Sequence, residues 1–131
     1  MSEPQTVKSM RTPLARVRNL GSSHSGTSDF WRQRVTAVAM TLLIVPVIVV
    51  VMMLLGRNQA GAAQILGSPL VAIIMLLFII ASAWHMKIGM QVVIEDYVHD
   101  ERLKIGGVLA VKALCVLLAL ICIVSVLKIG L

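Results

Sequence analysis

From Gln59 to Met86 the chain carries one ionisable side chain, and it is an imidazole, His85. A titratable group inside a long apolar run is costly to keep there and marks a candidate functional position. At 100° per residue, Ala81, His85, Gly89, Val92 and Asp96 share one stripe of a helix. Small residues one turn to either side of the imidazole would let a flat group approach the backbone while a ring nitrogen reaches a metal ion. Haem iron commonly takes such a nitrogen as axial ligand, tuned by its neighbours and by burial. The spacing is equally compatible with a hydrogen bond from His85 to a neighbouring helix, where Gly and Ala are also enriched. His24 and His99 lie outside any apolar run, so a second axial histidine would have to come from another chain.

Asp96 and Tyr97 follow His85 by eleven and twelve residues, which is roughly 16 to 18 Å along a helix. A phenol at that depth can donate a hydrogen bond to a quinone carbonyl, and an adjacent carboxylate can orient a cation or relay protons. It can as well be an interfacial tyrosine beside a solvated acid. Arg32 and Arg34 suit haem propionates or lipid phosphates, with Arg34 the better placed at the edge of the apolar run; Lys87 could do the same or snorkel. Cys115 and Cys122 lack CxxC spacing and a nearby histidine, and read as inert buried thiols.

The elements that would hold these residues are membrane helices. Of 131 residues, 58% are hydrophobic and 14% charged, against the roughly quarter-charged mix of soluble domains. Val35 to Gly56 is free of charge, Gln59 to Met86 has only His85, and Ile105 to Leu127 contains only Lys112. Each run is long enough to cross a bilayer, which needs about 20 residues, and Lys112 can snorkel. Three spanning helices leave no room for a soluble catalytic domain, so any hydrophilic chemistry must sit on other subunits. The formal charge of +6 sets topology and does not point to nucleic acid. Lys8, Arg11, Arg16, Arg18, Arg32 and Arg34 precede the first span, Arg57 stands alone in the first loop, and Lys87, Arg102 and Lys104 accompany the second. The positive-inside rule then puts the N-terminus and second loop in the cytoplasm. No secretory signal is evident in the N-terminal segment.

The chain divides into a cytoplasmic tail, residues 1–28, and a membrane domain, residues 29–131. Pro4, Pro13, Gly21 and Gly26 predict an irregular tail. Thr27, Ser28 or Asp29 would cap a first helix over about 30–56, kinked at Pro46. Gly56 to Gly67 is expected to form the outer turn. Ser68 and Pro69 read as N-cap and first position of a second helix over about 69–97. A charged connection and Gly106–Gly107 then precede a third helix over about 107–129.

The segment AWHMKIGMQVVIEDYVH, ending at His99, and the earlier GTSDFWRQRVTA, Gly26 to Ala37, closely resemble the second- and first-helix signatures of the small hydrophobic membrane anchor of succinate dehydrogenase. With the three spans, the resemblance covers the chain from Leu20 onward. It implies that His85 is an axial ligand of haem b and its iron, and that Tyr97 hydrogen-bonds ubiquinone. It further implies that Asp96 supports the quinone site and that Arg34 is a candidate propionate partner. Where some members have His before the Asp-Phe pair, Ser28 stands here, which removes a propionate contact from that position. The implied partners are a flavoprotein carrying FAD, an iron-sulfur subunit, a second haem-binding anchor and the lipid bilayer, with this chain an all-α, three-helix part of a larger heteromeric bundle. The N-terminal segment, with Arg, Ser and the single acid Glu3, reads as a bacterial tail, so the expected location is a bacterial inner membrane rather than a mitochondrial one. The alternatives are the anchor of a quinol:fumarate reductase and, in another class, a small proton-coupled transporter using His85 and Asp96 as a relay.

Overall fold

A computed structural model describes residues 12–18 and 25–130. Five helices account for nearly all of them: α1 (Pro13–Val17), α2 (Ser25–Leu54), α3 (Gln59–Leu66), α4 (Pro69–Tyr97) and α5 (Glu101–Gly130). Among the described residues no strand occurs. α2, α4 and α5 are each long and apolar enough to cross a membrane, so the chain is an all-α, three-span membrane protein.

Several boundaries differ from those expected of the sequence, for local reasons. α2 begins at Ser25, ahead of the expected cap residues; Asp29 instead lies inside the helix and pairs weakly with Arg32 at 3.5 Å, three residues on. The expected irregular tail falls partly outside the described residues, as do Lys8, Arg11 and His24; within them Pro13 opens the short α1. Pro46 leaves α2 continuous, although it frees the carbonyl four residues earlier.

The expected outer turn contains α3. Gly56, at φ +72°, ends α2 in the left-handed region that glycine enters without a Cβ penalty. Asn58 then caps α3 by accepting a hydrogen bond from the Gly61 N–H at 2.9 Å. Ser68 occupies the cap position of α4 in extended geometry with no side-chain cap bond, so Pro69 marks the start by its fixed φ. Asp100 is the strongest cap: its Oδ1 accepts from the N–H groups of Arg102 at 2.9 Å and Leu103 at 3.0 Å. That cap starts α5 well before the glycines expected to break the chain, and Glu101 and Lys128 stand at the ends that favour their charges.

α4 is the central helix. α2 and α5 pack on it, α3 bridges one end of all three, and α2 and α5 do not approach each other among the described residues. Gly107 brings α5 close to α4, since a Cβ there would lie 3.4 Å from Ile94 Cγ2. Only Val47, Val50, Ile88, Cys115 and Val126 form a buried apolar core among the described residues. Large apolar side chains such as Leu42, Val45, Leu70, Leu109 and Val124 face outward. So much outward apolar surface needs lipid or partner helices to cover it.

Candidate functional site

His85 lies on the face of α4 that meets α2, half-buried, between two polar side chains of that helix. Its Nδ1 is 3.1 Å from Thr36 Oγ1 and its Nε2 is 3.3 Å from the Gln33 amide nitrogen. Gln33 and Thr36 are three residues apart, so one face of α2 presents both to the ring. Thr36 Oγ1 also lies 2.8 Å from the Arg32 carbonyl and 3.1 Å from that of Gln33. One turn beyond His85, a Cβ on Gly89 would stand 3.5 Å from the Gln33 amide nitrogen. The small-residue stripe thus seats a side chain of α2 in this arrangement. Gln33 Oε1 is buried and has no hydrogen-bond partner; on the α5 side of α4, Ser82 Oγ is in the same state.

Beside this network a cleft of about 460 Å³ opens between α2 and α4, lined among others by Phe30, Gln33, Arg34, Gln91, Val92 and Glu95. The Arg34 guanidinium sits over the Phe30 ring, 5.0 Å from its centroid, a geometry in which the ring face attracts the cation. Arg34 therefore lines the same cleft as Gln33, whose amide is the group that reaches His85. Gln91 donates to Glu95 Oε1 at 2.8 Å along the cleft wall. Asp96 and Tyr97 occupy the last turn of α4, outside the cleft, with Tyr97 77% exposed. The helix carries them about 16 to 18 Å from His85 along its axis. Lys87 turns elsewhere, 5.5 Å from the Trp84 ring centroid. Cys115 is buried, Cys122 is exposed, and both thiols are free.

Sequence reasoning did not single out Gln33, Thr36, Gln91 or Glu95. The available signal was a polar pair at helical spacing at the mouth of the first apolar run, but which face of one helix meets another is a tertiary fact.

Among the described residues no group of three or more His, Cys, Asp or Glu could enclose a bare metal ion. A single imidazole can still supply one axial nitrogen to an iron already held in a macrocycle. The donor set fits that demand in part: His85 has one nitrogen against a hydroxyl and the other facing a flexible amide, which can turn aside. Gln33 Oε1, buried without a partner, marks the spot where this chain alone leaves polar bonding incomplete.

A three-helix membrane bundle with one intramembrane imidazole, a cleft beside it and little core of its own defines a helical anchor that is completed by other chains. A family model for the succinate dehydrogenase/fumarate reductase transmembrane subunit matches residues 8–119. The chain belongs to that family. It is 36% identical over 86 residues to the succinate dehydrogenase hydrophobic membrane anchor subunit of Paracoccus denitrificans, covering 66% of this chain and 67% of the relative. It is 32% identical over 118 residues to the protein of the same description from Rickettsia bellii, covering 88% and 93%. The succinate dehydrogenase membrane anchor subunit of Reclinomonas americana is 24% identical over 95 residues, covering 70% and 79%. No solved structure matches the chain significantly. As a succinate dehydrogenase membrane anchor, the chain works with other subunits of a complex and within a membrane.

Proposed function

We propose that this anchor binds haem b through His85, together with a histidine of a second anchor subunit, and contributes Tyr97 and Asp96 to the site where ubiquinone is reduced. The observation that carries this reading is the half-buried imidazole near the end of the α4 apolar run, with one nitrogen facing the amide of Gln33. When bound, the haem would supply a one-electron store. This chain's residues do the holding: His85 provides an axial nitrogen, and Arg34, over Phe30 at the cleft, provides a cation suited to a propionate.

At the end of α4 the exposed Tyr97 phenol donates a hydrogen bond to a quinone carbonyl. As electrons arrive, charge grows on that oxygen and the bond strengthens. Asp96, adjacent and exposed, passes protons from the headgroup region to the reduced ring. The electrons would be supplied by a partner flavoprotein with FAD, acting on succinate, through an iron-sulfur partner subunit. The balance of Lys and Arg supports a cytoplasmic N-terminus in a bacterial inner membrane.

The family also covers fumarate reductase, so the opposite direction is the second reading. Isolating the tagged chain from its own membranes tests both. Flavin, iron-sulfur and haem signals should co-purify, with succinate:ubiquinone turnover exceeding quinol:fumarate turnover. Tyr97→Phe should lower quinone reduction about tenfold, as loss of one transition-state hydrogen bond does, and leave haem content unchanged. Wild-type quinone reduction by Tyr97→Phe would remove Tyr97 from the site, and faster fumarate turnover would reverse the direction.

A further inference from the structure

The bonds around His85 determine which of its nitrogens carries the proton. A neutral imidazole has one N–H and one bare nitrogen. The Thr36 hydroxyl has one proton and three acceptors within reach: the Arg32 carbonyl at 2.8 Å, the Gln33 carbonyl at 3.1 Å and His85 Nδ1 at 3.1 Å. The shortest is the bond to the carbonyl four residues back, the habitual partner of a threonine inside a helix. With its proton there, the hydroxyl offers His85 only lone pairs, so Nδ1 must be the donor. Nε2 is then bare, and the Gln33 amide N–H points at it from 3.3 Å.

The opposite tautomer fits worse. It sets the Nε2 proton against the amide protons of Gln33 and takes the Thr36 proton from its shortest bond. Turning the Gln33 amide over would relieve the first conflict and leave the second.

We propose that Thr36 is the positioning residue of the haem site: it accepts the Nδ1–H of His85, fixes the ring's rotation and leaves the Nε2 lone pair for iron, with Gln33 as an exchangeable cover. The proposal rests on the reading of His85 as a haem ligand. A metal-bound histidine whose other N–H is held by an oxygen keeps one tautomer and becomes a more basic ligand, and removing such a partner typically weakens metal binding by roughly 10- to 100-fold. The cover follows from Gln33's own bonding. Its amide nitrogen reaches His85, while its Oε1 is buried with no partner, so its side chain has little to hold it once a better electron-pair acceptor arrives at Nε2.

The test uses the complete membrane complex with wild-type chain, Thr36→Val, Thr36→Ser, Gln33→Leu and His85→Ala. Haem per chain, haem loss to a scavenging apoprotein and the haem midpoint potential are measured for each. Thr36→Val preserves shape but cannot accept the proton. It should lose haem about tenfold faster, and its potential should rise, because a less basic nitrogen favours oxidised iron less. Thr36→Ser should restore both values, and Gln33→Leu should hold haem at least as well as wild type. Wild-type retention and potential in Thr36→Val, or equal damage in Thr36→Ser, would overturn the positioning role while leaving His85 as ligand. Wild-type haem content and midpoint potential in His85→Ala would overturn the underlying reading instead.

Discussion

Gly89 offers a test of the α2–α4 contact in which the sign changes with side-chain size. A methyl group there would lie 3.5 Å from the Gln33 amide nitrogen, which is ordinary van der Waals contact. Gly89→Ala should therefore fit, and should stabilise α4 by up to about 1 kcal/mol through helix propensity. Gly89→Leu places further carbons where the Gln33 amide lies. It must overpack the helix contact, costing roughly 1–3 kcal/mol. Leu shares most of the propensity gain over Gly, so the expected difference between the two variants is about 1–3 kcal/mol. Thermal unfolding of the detergent-solubilised complex, followed by circular dichroism, measures it. Equal melting temperatures for Ala and Leu, or an Ala variant as damaged as Leu, would refute the close approach of α2 at this position.

Other expectations concern α5. Asp100→Ala removes acceptors from two N–H groups at 2.9 and 3.0 Å and should destabilise the complex by about 1 kcal/mol, a shift readable in the same melts, with Asp100→Ser or Asp100→Asn largely restoring it. Gly107→Ala meets Ile94 at 3.4 Å and should be near neutral, as propensity offsets a snug contact, whereas Gly107→Leu should cost roughly 1–3 kcal/mol. Gly106, with open space around its Cβ position, should accept Ala with a gain of about 0.5–1 kcal/mol; a loss there would show that a partner helix occupies that face.

The three spans were legible because continuous apolar runs longer than a bilayer is thick have few other uses. The ends were less so. α2 extends back to Ser25 through polar residues whose helical state no hydrophobic pattern signals, and α3 hides in a stretch dominated by Ala and Gly. Gly106 and Gly107 looked like breakers, but Asp100 had already capped a helix that runs through them. His85 stood out by charge and placement alone. Gln33 and Thr36 did not, because their relevance depends on the rotation of α2 against α4. Asp96, although in register with His85 by angle, ends exposed and outside the cleft, while Glu95 lines it; a stripe counted at constant pitch does not say where a neighbouring helix stops.

The role of His85 is tested most directly by the reduced-minus-oxidised absorption spectrum of the purified complex, wild type against His85→Ala at matched chain content. The wild type should show the Soret and α-band changes of a b-type haem, and in the variant they should be lost or altered, since only the partner subunit's nitrogen would remain. A wild-type complex without those bands, or a His85→Ala complex with unchanged ones, would contradict it.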